Sequence, residues 1–366
     1  MYALKTLTSQ PFRFIITACG VALCVVLILF LLGIYKGASV GSVEYVRSSD
    51  ADLWVLQQHA TNILRSTSIL TPEHSTTMKM VPGVQSVAPV LFILASVKLP
   101  DGPATLYLTG YNPRSGRGGP PEISEGRNIR SGGEIVLDRS FAAKYKIKIG
   151  DMLLINNKSL NVVGFSKGTN MFVIQYAFIT LADAHRIIGI PGIVTCYLVK
   201  VAPGVDPRSV SKNIETCLPD VVVFDRDKFL ENNIREMESG ILPLLFVVAV
   251  IGSVVLMAIL SLILSINVLE RRKDFAIMKA LGAPGGFIPG LVVLQAMILA
   301  GSGLLVGIAV FFPLMKVVEK FSPEVSVLTN TSQILAVIIT VILISLFSSI
   351  LPNRKLRKVY PLEAFK

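Results

Sequence analysis

Side chains that often carry catalysis occur in this 366-residue chain, but none of them stands in a catalytic pattern. His59, His74 and His185 have no ligand-type residue three or four positions further along, so each is expected at the surface or at a helix cap. No nucleophile elbow, zinc motif or glycine-rich phosphate-binding loop occurs. The sequence therefore predicts no catalytic residue, no metal site and no cofactor. The aspartates that stand at expected turns and helix starts are Asp138, Asp151, Asp183, Asp225 and Asp227.

The four cysteines do not have the spacing of a metal site either. Cys19 and Cys24 lie in a long apolar run near the start of the chain, whereas Cys196 and Cys217 lie in a more polar region. Two interpretations stay open for the second pair: a disulfide formed in an oxidising compartment, and two buried thiols.

Docking on another surface, rather than catalysis, is indicated by residues 270–283, which read ERRKDFAIMKALGA. Phe275, Met278 and Leu281 recur at helical spacing, so a short amphipathic helix is expected, and Gly282 is suited to end it. Two covers for its apolar stripe stay open: a partner protein, and lipid headgroups on which the helix lies flat. The candidate docking residues are Glu270, Arg271, Arg272, Lys273, Asp274, Phe275, Ile277, Met278, Lys279, Ala280, Leu281 and Gly282.

The elements around this segment are apolar enough to cross a membrane. Hydrophobic residues make up 52 % of the chain and charged residues only 16 %, against about 25 % charged residues in soluble domains. Because a spanning helix needs about 20 apolar residues, four runs qualify: 14–34, 241–269, about 287–315 and about 325–351. The first run is long and lacks a clear cleavage site, so we interpret it as an uncleaved anchor rather than a signal peptide.

Lysine and arginine beside these runs set the expected orientation. Eleven cations and three acidic residues lie at the two ends of the chain and in the 270–286 loop, whereas the rest is nearly balanced. By the positive-inside rule, both ends and this loop are cytoplasmic and the middle is outside. The net charge of +11 is thereby explained without nucleic acid, for which no recognition motif occurs. The cations are Lys5, Arg13, Arg271, Arg272, Lys273, Lys279, Arg354, Lys355, Arg357, Lys358 and Lys366.

The predicted fold class is a membrane α-helical protein with four transmembrane helices and a mixed α+β extracytoplasmic domain. The divisions are a cytoplasmic start with span one (1–36), the external domain with a stalk (37–238), span two (239–269), the docking loop (270–286), span three (287–315), an external turn (316–324), span four (325–352) and a cytoplasmic tail (353–366).

The external domain is expected to mix strands and helices, because alternating β-branched stretches are separated by turn residues. The predicted strands are 86–99, 105–111, 134–137, 152–155, 160–165, 172–180 and 195–201. The predicted helices are 72–80, 139–145, 181–188 and 206–216, with Thr71, Asp138, Thr180 and Asp206 as N-caps. The segment 114–130, rich in glycine, proline and arginine, is expected to be a loop.

The docking segment closely resembles the loop that follows span two in ABC transporter permeases of the MacB, FtsX and LolC type. Two other features are similar to that family: the tail from Arg354 to Pro361-Leu362-Glu363-Ala364, and the series Ile135-Val136-Leu137-Asp138, Ile149-Gly150-Asp151 and Val162-Val163-Gly164. The resemblance implies that the loop is a coupling helix on a separate ATPase, in an assembly of two permeases and two ATPases in the inner membrane. The MacB branch carries its own ATPase before span one, but only 13 residues precede that run here, so ATP hydrolysis is expected from another polypeptide.

The resemblance also implies that ATP-driven motion of spans one and two is carried outward to the external domain. Residues 40–46 and 229–239 are expected to prolong these spans as a stalk. Gly33, Gly37 and Gly41, four residues apart, are suited to close helix approach in a dimer, although they are equally typical of small residues at a helix end.

Three functions are compatible with this resemblance. The first is the permease half of an exporter that moves an amphipathic or hydrophobic cargo outward, in contact with membrane lipid and, in some members, with a periplasmic adaptor. The second is a signal relay of the FtsX kind, which activates an extracytoplasmic hydrolase without transport. The third is lipoprotein extraction, which usually employs two different permeases. An external region of about 200 residues favours the exporter.

Overall fold

A computed structural model of the protein describes residues 11–63, 66–100, 102–171, 174–325 and 327–357. The expected features at Lys5, Lys358 and Lys366 and in the Pro361–Ala364 tail lie outside these residues. The chain forms two compact units. The first, called the helical unit, contains residues 1–36, 243–317 and 327–366, and the second, called the sheet domain, contains residues 37–242 and 318–326.

Ten α-helices lie in the described part of the chain. They are α1 (Pro11–Ser48), α2 (Pro72–Met80), α3 (Arg139–Tyr145), α4 (Leu181–Ile188), α5 (Pro207–Cys217), α6 (Arg226–Glu270), α7 (Arg272–Ala280), α8 (Phe287–Phe321), α9 (Thr331–Ser348) and α10 (Ile350–Arg357). Among these described residues, four segments are long and apolar enough to cross a membrane: Pro11–Ser48, Pro243–Glu270, Phe287–Phe321 and Thr331–Leu356. Each of the four predicted apolar runs therefore lies wholly or mostly in a helix.

Three of these helices, α1, α6 and α8, are longer than the apolar runs that predict them. The first run is expected to end at Ile34 with a stalk from residue 40, and α1 continues without interruption to Ser48. The second stalk, residues 229–239, belongs to α6. The fourth run differs, because α9 begins at Thr331 rather than near Val325. Its start is fixed by the Asn330 amide, which donates to Gln333 Oε1 at 3.2 Å and so satisfies a backbone group at the helix end.

The sheet domain is built on a mixed ten-stranded sheet. The strands are β1 (Leu53–Gln57), β2 (Val84–Leu99), β3 (Gly102–Tyr111), β4 (Glu122–Gly126), β5 (Glu134–Asp138), β6 (Met152–Ile155), β7 (Lys158–Lys167), β8 (Gln175–Thr180), β9 (Cys196–Val201) and β10 (Val221–Asp225). Their order is β10-β1-β9-β2-β3-β8-β5-β7-β4, and β6 pairs with β2 and β7. The pairs β3–β8 and β5–β7 are parallel and the others antiparallel.

The predicted local structure of this domain is largely confirmed. All seven predicted strands form, and α2, α3 and α4 have the predicted bounds, although residues 172–173 of one strand prediction lie outside the described residues. Asp138 accepts from the Ser140 amide at 2.8 Å, and Thr180 accepts from the Asp183 amide at 3.1 Å, so both cap helices as expected. The 114–130 loop prediction is wrong at β4, which pairs with β7.

An aromatic cluster fills one face of the sheet domain. Trp54, Tyr45, Tyr176, Phe178 and Phe229 are fully buried there. The Trp54 and Phe229 rings stack with centroids 4.7 Å apart, and the Tyr45 and Tyr176 rings stack at 5.0 Å. Because an aromatic side chain buries about 150–250 Å², these residues contribute a large share of the apolar core of the domain. The last turn of α1 and the first turn of α6 therefore pack in the same core.

The two cysteines of this domain are both free thiols. Cys196 is buried in β9 within the aromatic cluster, where burial raises the pKa of its thiol. Cys217 ends α5 and is exposed. The disulfide interpretation is therefore wrong, and the interpretation as two buried thiols holds only for Cys196.

One ion pair gives the sheet domain a testable pH dependence. Both guanidinium nitrogens of Arg127 donate to the Glu134 carboxylate, and the Arg130 amide donates to it at 2.8 Å. These bonds lower the pKa of Glu134 to about 2, and the largest contribution comes from Arg127. Since the folded pKa lies below the unfolded one, the stabilisation is complete above about pH 4.5 and is lost as the pH falls towards 2.

We predict that Glu134→Gln lowers the free energy of unfolding by about 1–2 kcal/mol at pH 7, and that the difference from wild type shrinks below pH 4.5. Trp54 is the only tryptophan and lies in the sheet domain, so its fluorescence during thermal unfolding follows this domain in the full chain. Glu125→Gln is the control, since its pair with Arg139 is 3.8 Å long and exposed. An equal loss in both variants, or a loss that does not depend on pH, would contradict the assignment.

Candidate functional site

Residues 270–283 form the predicted short helix. A break at Arg271 separates α7 from α6, and α7 begins at Arg272. The helix ends in a Schellman motif: the Gly282 amide donates to the Lys279 carbonyl at 3.1 Å, and the Ala283 amide donates to the Met278 carbonyl at 3.0 Å. Gly282 has φ +87°, a conformation that costs glycine little, so the predicted stop at this residue is confirmed.

The inward face of α7 differs from the expected exposed stripe. Phe275 is only 1 % exposed and packs with Val268, Ile288, Val292 and Leu356. Met278 is half-buried against the same group. The expectation that Phe275, Met278 and Leu281 present one exposed apolar surface is wrong, because residues of α6, α8 and α10 cover the first two. Phe275 therefore holds α7 to the helical unit.

The outward face of α7 and its C-cap residue, Leu281, present a different apolar pair. Ile277 is 46 % exposed and Leu281 is 83 % exposed. These residues are four positions apart, so their side chains are neighbours on one side of the helix turn. Lys273, Asp274 and Ala280 are also exposed, and the two charged residues lie one helix turn before Ile277. We call Ile277 and Leu281 the outward pair.

Polar contacts hold both ends of this segment. Arg13 donates to Glu270 Oε2 at 2.6 Å, so the beginning of α1 is tied to the end of α6. Lys279 Nζ donates to the Leu356 carbonyl at 2.9 Å, which ties α7 to α10. The side chains of the Arg13–Glu270 pair are about 40 % exposed, so the pair contributes orientation more than stability. Two of the predicted docking residues, Glu270 and Lys279, therefore also have contacts within the helical unit.

Two of the three spaced glycines have neighbours within their own chain. A side chain at position 33 would overlap with Val327 Cγ1, and the Leu328 amide donates to the Gly33 carbonyl at 3.1 Å. A side chain at position 41 would overlap with the Asn170 carbonyl oxygen. Glycine at these positions is thus required by contacts inside each unit. The dimer interface at Gly33, Gly37 and Gly41 stays a prediction.

The candidate chemistry-bearing side chains of the sheet domain have structural partners. His74 Nδ1 accepts from the Thr71 amide at 3.1 Å, and His185 Nε2 donates to the Ile193 carbonyl at 2.8 Å. Asp138 is buried, which raises its pKa, and it accepts from Thr169 Oγ1 at 2.6 Å. Asp183 accepts from Thr180 Oγ1 at 2.6 Å. Within the described residues, no group of three or more His, Cys, Asp or Glu is placed to hold a metal ion.

Two family models match the chain and together cover most of it. Residues 14–216 match the MacB-like periplasmic core domain, which is more than half of the chain, and residues 246–361 match the FtsX-like permease C-terminal region. The chain belongs to the MacB/FtsX family of ABC transporter permeases. It is therefore a membrane permease component with a large extracellular domain, which is the sheet domain, and such components are not themselves the ATPase. The family implies association with an ATPase subunit.

Relatives that match all or part of the chain carry the same designation. An uncharacterised ABC transporter permease of Mycobacterium tuberculosis is 24 % identical over 366 residues, which cover 99 % of this chain and 98 % of that protein. An uncharacterised ABC transporter permease of Methanocaldococcus jannaschii is 27 % identical over 236 residues, 60 % of this chain and 58 % of that protein. Among solved structures, the periplasmic region of MacB from Actinobacillus actinomycetemcomitans matches 51 % of this chain and 94 % of that chain, with 14 % identity and a TM-score of 0.40.

The two faces of α7 should differ in their reactivity towards a thiol reagent. In the purified chain without native cysteines, we predict that a cysteine at Leu281 reacts at least about tenfold faster than one at Phe275, since the buried position reacts only after local opening. A cysteine at Ile277 should have an intermediate rate. Mass spectrometry of labelling against time measures the three rates, and equal rates at 275 and 281 would show that Phe275 is not buried.

Proposed function

We propose that this chain is the permease half of an ATP-driven exporter, and that α7 couples it to a separate ATPase through the outward pair. The observation that carries the proposal is the exposure of Ile277 and Leu281 on a helix whose opposite face is fixed by Phe275. An exposed apolar pair on a rigid helix is suited to enter a groove on a partner protein. Lys273 and Asp274 form a charged rim beside it, which contributes orientation and association rate more than affinity.

The assembly that we propose contains two copies of this chain and two ATPase subunits in the inner membrane. Both ends of the chain and the 270–286 loop face the cytoplasm, where ATP is available, and this orientation is supported by the concentration of lysine and arginine in these segments. The external domain then faces the periplasm or the cell exterior. A lipid-bound position for α7 is disfavoured, because Phe275 and Met278 are already covered by the chain itself.

We further propose that α1 and α6 carry ATP-driven motion to the external domain. Within that domain, Tyr45 belongs to α1 and Phe229 belongs to α6, and both are fully buried beside Trp54. Tyr45 also donates to the Gly118 carbonyl at 2.8 Å, and Asn233 of α6 accepts from the Ile63 amide at 3.1 Å. A displacement of either helix cannot be absorbed locally, since a close-packed core has few voids.

Glu324, in the turn before α9, makes further contacts within the sheet domain. Lys144 Nζ lies 2.8 Å from Glu324 Oε1, and Asn170 Nδ2 donates to the Glu324 carbonyl at 2.9 Å. The side chain of Glu324 is 21 % exposed, so this pair is partly shielded from water. Motion of the segment that joins α8 and α9 would therefore also reach the sheet through α3 and the loop at Asn170.

The coupling proposal predicts that the double variant Ile277→Asp, Leu281→Asp loses the ATPase. Two charges placed in an apolar groove should weaken association by at least about tenfold, or 1.4 kcal/mol, because a hot-spot contact is replaced by an unpaired charge. The measurement is the amount of ATPase that copurifies with the tagged permease after coexpression.

Lys273→Ala serves as the matched control, since it changes an exposed residue of the same face without removing an apolar contact. It should keep most of the ATPase. Phe275→Ala should weaken association too, but together with a loss of stability of the helical unit, because a Phe to Ala change in a core costs about 3–5 kcal/mol. Undiminished copurification with the double aspartate variant would refute the role of the outward pair.

The orientation is tested by single cysteines in a chain without native cysteines. We predict that a cysteine at Ser115 in the sheet domain reacts with an impermeant thiol reagent applied to intact spheroplasts, whereas one at Leu281 reacts only after the membrane is opened. Both positions are accessible to solvent in the structure, so a difference reports the side of the membrane. The reverse pattern would invert the topology.

A further inference from the structure

A cavity of about 470 Å³ lies within the sheet domain. It is bounded by the end of β1, the segment 66–69, the middle of β2, the beginning of β9 and the residues that follow α4. None of the described lining residues belongs to α1, α6 or α7. Its volume falls in the range of about 300–1,000 Å³ that is typical of pockets for small organic molecules.

The described lining is entirely uncharged. It contains no Asp, Glu, Lys, Arg or His among the described residues. Two of its members, Tyr107 and Cys196, are titratable, but burial raises the pKa of both, so both are neutral at pH 7. A charged molecule would lose its hydration in this cavity without gaining a counter-charge, and that loss is costly. The described part of the lining therefore favours an uncharged molecule over an ion.

The open side of the cavity exposes apolar side chains. Ile69, Leu94 and Ile190 line it, and they remain 53 %, 60 % and 53 % exposed. Deeper in, Leu56, Leu91 and Phe92 are buried. Single exposed apolar residues are ordinary, but three that surround one cavity form a continuous apolar surface that leads into the domain. Such a surface is stabilised when an apolar molecule covers it.

One wall offers hydrogen-bond donors. Ser66 Oγ accepts from the Thr61 and Asn62 amides at 3.0 and 3.2 Å, and Ser68 Oγ accepts from the Gln57 amide at 2.9 Å. Each hydroxyl still has its own hydrogen, which makes no hydrogen bond to a described residue. A hydroxyl that has accepted one bond is oriented and can donate to an oxygen of a bound molecule. The polar wall and the apolar walls together match a molecule that is mostly apolar and carries a carbonyl or ether oxygen.

We propose that this cavity is a binding site for an uncharged, mostly apolar molecule with one or two oxygen acceptors. The proposal rests on the exporter function and gives the chemical class of its cargo, which meets the external domain at this cavity. The aliphatic part lies against Leu91, Phe92 and Leu94, and its oxygen accepts from Ser66 or Ser68. Among its described residues the lining offers no cation to the carboxylate form of the same molecule, so the uncharged form should bind more tightly.

The test uses the purified full chain and a pair of photoactivatable probes. One is the methyl ester of a twelve-carbon diazirine fatty acid, which is uncharged, and the other is the free acid. After irradiation and digestion, mass spectrometry quantifies labelling of each peptide. The ester should label the peptides around 66–70, 91–94 and 188–196 about tenfold more than the peptide of Met152, which is another exposed apolar residue of this domain, a ratio that corresponds to about 1.4 kcal/mol. The free acid should label both regions equally weakly.

Variants at the open side complete the test. Leu94→Asp and Ile190→Asp should each reduce cavity labelling severalfold, whereas the matched control Met152→Asp should not. All three positions are exposed, so aspartate there is compatible with folding, which Trp54 fluorescence checks. Equal labelling of the cavity and Met152 peptides, equal labelling by ester and acid, or unchanged labelling in both cavity variants would each overturn the proposal.

The same variants separate this proposal from the exporter assignment. Leu94→Asp and Ile190→Asp should still copurify the ATPase, because they lie outside α7. Absent cavity labelling with retained ATPase would end the cavity proposal and leave the coupling intact. Cavity labelling in a chain that binds no ATPase would support the cavity proposal and contradict the exporter assignment.

Discussion

The burial of Trp54 between Tyr45 and Phe229 is the contact on which the arrangement of the sheet domain depends. The Trp54 ring lies 4.7 Å from that of Phe229 and 6.2 Å from that of Tyr45, and all three are fully buried. Tyr45 and Phe229 belong to the two longest helices, so both helices contribute to one aromatic core. Because such a core deforms little, either helix can move relative to the sheet only if this cluster repacks.

The membrane imposes a second constraint, which acts on the backbone. In the hydrocarbon region every backbone amide and carbonyl must be paired within the protein, so the apolar runs form helices and not strands. Pro243 interrupts this pairing inside α6, because proline has no amide hydrogen to donate. It is also the residue at which α6 passes from the sheet domain to the helical unit. The helix turn at Pro243 therefore has fewer backbone hydrogen bonds at the point where α6 leaves one unit and enters the other.

The features that the sequence predicts best are those set by local chemistry. The bounds of α3 follow from the Asp138 cap, and the end of α7 follows from Gly282, since both signals act within a few residues. The strands β1 and β10 were not predicted, although the apolar runs at 53–56 and 221–224 are typical of buried strands. The strand β4 has no such signal, because Ile123 is its only large apolar residue, and pairing with β7 makes it extended.

The helix α7 shows the same limit of sequence-based prediction for a candidate functional site. Helical spacing predicts that α7 has an apolar side, but periodicity alone does not say which apolar residues face the rest of the chain. That is decided by Val268, Ile288, Val292 and Leu356, which are distant in sequence and enclose Phe275. The consequence is mechanical, since α7 is fixed to α6, α8 and α10 at once. In the proposed coupling, force applied to Ile277 and Leu281 by a partner would therefore be distributed over three helices.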